Sequence, residues 1–219
     1  MRTNTMHAVS GGHDLAPAGD TLESLADVPK AMVRRQMNQA GNILLTALEP
    51  FSDDDFFAGG PNGISPAWTV GHLACVMDLF TRWIEVRECL IPTWQHEVFN
   101  PVEIAKMSTT KAETVNRDVV SKEDIFLLFR TTQVRTLKLL DEFDARLWEA
   151  PSTPITPDTL PTYGSVWQNL GVHPFWHLGE LCGCIPKFHG THTLNTLAHY
   201  FYYPPTQRSG VFPAKTGSP

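Results

Sequence analysis

Four stretches of this chain repeat their apolar residues at steps of three and four, and no two-residue alternation is strong enough to build a sheet. That rhythm commits the chain to amphipathic helices, which must bury their apolar stripes against one another. The first stretch runs from about Val28 to Leu48. Ala31, Met32, Met37, Ala40, Ile43, Leu44, Ala47 and Leu48 form its stripe, with Arg34, Arg35 and Asn38 outside it. Pro50 and the Ser52-Asp53-Asp54-Asp55 cluster end it. The second opens at Ser65-Pro66, a capping serine followed by proline at the first helical position, and runs to about Cys89. Its inward face is expected to carry Trp68, Leu73, Val76, Met77, Phe80 and Ile84, and its polar side Asp78, Arg82, Glu85 and Arg87.

The third stretch starts at Ser121-Lys122-Glu123-Asp124, a cap with an acid at the third position, and reaches about Phe143. Ile125, Leu127, Leu128, Phe129, Val134, Leu137 and Leu140 are its expected core residues. The fourth runs from about Ser165 to Ile185, where Pro186 stops it. Pro174 should bend it by removing one ladder bond, unless Gly171 breaks the segment and a new helix restarts at Pro174.

Between the second and third stretches, Leu90 to Val120 lacks periodicity and carries Pro92, Asn100 and Pro101. About thirty residues are too many for a tight turn and suit a crossover along a bundle. Asp144 to Thr162 is a proline-rich loop. The expected architecture is one all-α domain, a four-helix bundle over 23–203, between a loose N-terminal tail (1–22) and a C-terminal tail (204–219). An aromatic patch from Leu197 to Tyr203 would cover a bundle end.

Within this scaffold the histidines stand out. His173 and His177 are four apart, about one turn from each other on one face of a helix. Two imidazoles so placed can grip one metal ion. Trp68, His72 and Val76, also four apart, put a third imidazole on the inward stripe of the second helix. A lone histidine on an apolar face is as a rule a hydrogen-bonded core residue. Three on inward faces, in this order, read instead as a site between two packed helices. His7 and His13 belong to the tail, and His189, His192 and His199 are weaker candidates for a fourth ligand.

The formal net charge of −6, without a basic run, argues against a nucleic-acid or membrane-surface footprint. Four cysteines (Cys75, Cys89, Cys182 and Cys184) are too few and too irregular for a disulfide framework, so a reduced, cytoplasmic setting is expected. Neither a signal peptide nor an apolar run of about 18 residues is evident.

Trp68-Thr69-Val70-Gly71-His72-Leu73 and His173-x-x-x-His177-x-Gly179-Glu180-Leu181, with the long connection between helices two and three, resemble the DinB/YfiT-like superfamily of four-helix bundles. The likeness covers most of 28–188. It implies an up-down-down-up topology and a divalent transition metal, zinc or nickel, on His72, His173 and His177. It also implies a small-molecule substrate, low-molecular-weight thiols among them, chemistry of the thiol S-transferase or hydrolase type, and a homodimer. Pro174 directly after the first helix-four histidine, and Glu180 where glutamine is frequent, depart from the family pattern.

Three imidazoles alone suit zinc, nickel, iron or copper, and three protein ligands leave a position open for chemistry. That position can acidify a water for hydrolysis or hold a substrate thiol as thiolate. Glu180 is the candidate catalytic residue, as general base; an acceptor for an imidazole N–H and a solvated-face carboxylate are its other readings, the last the simplest. Cys75 reads as a buried small hydrophobe, and Trp68, Phe175 and Trp176 as core. The competing function is a bundle that binds a metal or small molecule without turnover. A third reading keeps the histidines as polar core residues with no metal at all.

Overall fold

The structure, a computed structural model, describes residues 27–60, 64–99, 115, 117–153 and 158–184. Both expected tails, the 197–203 patch and His7, His13, His189, His192 and His199 lie outside them. The described residues form α1 (Asp27–Leu48), α2 (Asp53–Phe57), α3 (Pro66–Glu85), α4 (Thr93–Phe99), α5 (Lys122–Glu142) and α6 (Tyr163–Cys184), with a 3-10 turn at Ala145–Leu147. Among them there is no strand, only an isolated bridge between Pro151 and Thr162. The all-α expectation holds.

The four long helices α1, α3, α5 and α6 carry the expected stripes. α3 packs chiefly on α5 and α1 on α6, while α3–α6 and α1–α5 contacts close the ring. Met37, Ile43, Leu44, Leu73, Ile125, Phe129, Leu140 and Trp167 are fully buried between them. The helix starts follow the capping residues. Ser65 accepts the Trp68 N–H at 3.0 Å with Pro66 at the first position, and Ser121 and Asp124 form a reciprocal capping box. No helix among the described residues is long and apolar enough to cross a membrane.

Several residues sit elsewhere than periodicity suggests. The Ser52–Asp55 cluster does more than end α1, because Ser52 caps a short helix that buries Phe56 and Phe57. The connection from Leu90 onward contains α4, whose Phe99 is fully buried. α3 stops at Glu85, earlier than expected, where Val86 turns left-handed (φ 52°). α6 runs unbroken through Gly171 and Pro174, so no break occurs at Gly171. A Cβ at Gly171 would meet the end of the Gln36 side chain of α1.

On α5, Leu127 and Val134 are exposed, because their seven-residue spacing puts them opposite Ile125. Thr132 and Thr136 take the inward positions instead, each hydroxyl donating to the carbonyl four residues back. Met32 and Trp176 are likewise exposed, and Phe175 is only half-buried.

Asp78 is the largest departure. Expected on the polar side of α3, it is completely buried. Its Oδ1 accepts from Arg135 of α5 at 2.6 Å and, more loosely, from Arg87. Its Oδ2 accepts the backbone N–H groups of Leu90 and Ile91, each at 2.8 Å, and faces His96 Nε2 at 3.2 Å. Burial pushes the Asp78 pKa up. The His96 and Ile91 hydrogen bonds, with Arg135 and Arg87, outweigh it and hold the carboxyl below its ordinary value.

Candidate metal centre

His72 projects from α3 and is 4 % exposed. Trp68, one turn earlier, stacks on it with ring centroids 4.5 Å apart. His173 and His177 come from one face of α6, and their rings lie 5.5 and 4.8 Å from that of His72. One ligand atom from each of the three falls within 4.8 Å of the others. The three histidines expected to meet between two helices therefore do meet. The group contains no carboxylate or thiol among the described residues.

The hydrogen bonds around the rings set their tautomers. His72 Nδ1 lies 2.9 Å from the Phe99 carbonyl oxygen, which can only accept, so Nδ1 carries the proton. His177 Nδ1 donates to Glu180 Oε2 at 2.6 Å, and His173 Nδ1 faces Asn169 Oδ1 at 3.4 Å. His72 and His177, whose Nδ1 atoms face oxygens that can only accept, keep the lone pair on Nε2. His173 Nε2 and His177 Nε2 then confront each other at 2.9 Å. With the His173 proton on Nε2 this is a hydrogen bond to His177, and with it on Nδ1 the two lone pairs face a shared cation; three clustered imidazoles are a donor set that fits a metal.

Protonation follows the same logic. Burial, and then His177 and His173, push the His72 pKa well below its ordinary value. Burial, and then His177, bring His173 down to about 4, with Glu180 opposing. Both are neutral near pH 7, the form that ligates.

Glu180 is not a free solvated-face carboxylate. Besides His177 it accepts from Trp176 Nε1 at 2.8 Å, and the His177 bond is the main reason its pKa is lowered. Cys75 is a buried small residue as expected, its thiol pKa pushed up by burial. Two participants carried no sequence signal. Phe99 contributes a backbone oxygen, and Asn169, one turn before His173, reads as an ordinary polar helix residue.

A family model described as the DinB superfamily matches residues 36–181, a span that includes all three histidines and Glu180. No curated protein and no solved structure matches the chain.

Proposed function

The chain belongs to the DinB superfamily, and we propose that His72, His173 and His177 bind one divalent transition ion, zinc or nickel, in a metal-dependent enzyme of the thiol S-transferase or hydrolase type. The observation that carries this reading is the convergence of three imidazoles, one ring nitrogen of each within 4.8 Å of the others, with Nδ1 of His72 and of His177 held by oxygen acceptors. The four long helices are taken as the up-down-down-up bundle of the family, with α4 inside its crossover.

The bound ion would supply a Lewis-acid position that activates a water or stabilises a substrate thiolate. The chain's own residues orient the site. Glu180 holds the His177 ring in its Nδ1–H tautomer, Phe99 does the same for His72, and Trp68 covers one face of His72. Glu180 remains the only carboxylate hydrogen-bonded to the cluster among the described residues, which keeps it the candidate proton carrier. Its commitment to His177 favours a second reading, a bundle that holds a metal or small molecule without turnover. The proposed substrate is a small molecule, low-molecular-weight thiols first, and the proposed setting a cytoplasmic homodimer.

The test is elemental analysis of protein purified without chelator or nickel resin, beside His72→Ala, His173→Ala and His177→Ala. About one transition ion per chain in the parent, lost in each variant with helix content retained, supports the site. Equal metal in all three variants sinks it. Turnover of a thiol and amide panel by the loaded parent then separates enzyme from binding bundle.

A further inference from the structure

Asp78, Cys89 and His96 also bring ligand-type atoms within 4.8 Å of one another. This second cluster is no cation site, because Arg135 and Arg87 already sit on the carboxylate. What it does is hold α4. Gly71, Cys75 and Asp78 fall at i, i+4 and i+7, one stripe of α3, and each engages the same segment. At Gly71 the Phe99 ring lies so close to the helix that a Cβ would overlap it. At Cys75 the thiol points to the Gln95 carbonyl at 3.8 Å. Asp78 binds the N–H groups of Leu90 and Ile91 just before α4, and His96 within it. With both ends fixed, the Phe99 carbonyl arrives 2.9 Å from His72 Nδ1.

We propose that α4 is a positioning clamp for the metal centre, with Asp78 and Gly71 as positioning residues that act through the Phe99 carbonyl on the orientation of His72. This inference rests on the proposed three-histidine site. Neither residue is one of the three histidines. Gly71 controls the approach of Phe99, and Asp78 controls the path of the chain that leads to it. The sites reached through this clamp are a helix position where only glycine leaves room and a buried carboxylate whose partners come from α4, its leading turn and α5.

The experiment measures zinc affinity of the full chain by chelator competition, and the visible spectrum of the cobalt-loaded protein. Parent, Gly71→Ala, Asp78→Asn and Ile43→Val are compared, with helix content followed in each. Alanine is the better helix former, so Gly71→Ala acts through its overlap with the Phe99 ring and not through helix propensity. The expected result is zinc affinity lower by about 10–100-fold in Gly71→Ala and Asp78→Asn, with a changed cobalt spectrum. The core variant Ile43→Val, on α1, should stay within about threefold of the parent. If Asp78→Asn does not fold, Gly71→Ala decides. Parent-like affinity and spectrum in a folded Gly71→Ala overturn the clamp, and so does an equal loss in Ile43→Val. A parent that takes up neither zinc nor cobalt is a different failure, that of the metal site itself.

Discussion

His177 and Glu180, three residues apart on α6, are joined by a 2.6 Å hydrogen bond from the imidazole Nδ1–H to the carboxylate. One turn of helix thus contains both a candidate metal ligand and the group that fixes its tautomer. The indole of Trp176 steadies the other carboxylate oxygen from the solvent side.

Glu180→Gln keeps the shape and removes the charge. Zinc affinity should fall by about 10–100-fold, the usual cost of an outer-shell partner, while thermal stability changes little. Chelator competition beside a melting curve checks both; unchanged affinity would show that the carboxylate does not tune the site.

Trp176→Phe is the contrasting case. The side chain is 73 % exposed, so stability should move by no more than about 0.5 kcal/mol. The His177–Glu180 bond survives, and zinc affinity should stay within about threefold of the parent. A loss as large as that of Glu180→Gln would make the indole part of the site.

The metal-free protein should be acid-sensitive in a defined window. His72 and His173 have folded pKa values below the ordinary 6.5, His173 at about 4, so between those limits the unfolded chain binds more protons. Stability is therefore fully present above about pH 6.5 and declines as pH falls toward 4. Denaturant titrations at pH 7, 6 and 5 should show the decline, and His173→Asn should flatten part of it. A flat profile in the parent would contradict the buried neutral histidines.

Lys122 is a structural prediction far from the histidines in sequence. Its side chain is buried, and Nζ donates to the carbonyls of Glu49 at 2.9 Å and Phe51 at 2.6 Å, pinning the α1–α2 corner to the start of α5. Lys122→Met fills similar space and leaves both oxygens without this donor, at a cost of about 1–3 kcal/mol. Urea unfolding measures it; a neutral result would mean that water replaces the ammonium at no cost.

Helix starts were legible in the sequence because their signals are local. Ser65-Pro66 and Ser121-x-x-Asp124 cap from within three residues, whatever the rest of the chain does. His72 was legible as inward because its neighbours Trp68 and Val76 are apolar. Asp78 was not, since the two arginines, the histidine and the backbone groups that make its burial tolerable are 9 to 57 residues away. Leu127 and Val134 were assigned to the core by their hydrophobicity, whereas angular position gives that face to Thr132 and Thr136. The acceptor for His72 was invisible altogether, because a backbone carbonyl belongs to every residue type.

The two histidine-bearing stretches that meet at the site are about a hundred residues apart along the chain, so folding alone assembles the three-histidine set. An ion shared by His72 and the His173–His177 pair is thus a ligand of the folded form alone. Each tenfold rise in free ion above its dissociation constant would add about 1.4 kcal/mol to the unfolding free energy. Folding stability and metal supply then become a single thermodynamic variable, and a melting temperature for this protein has meaning only at a stated concentration of free metal.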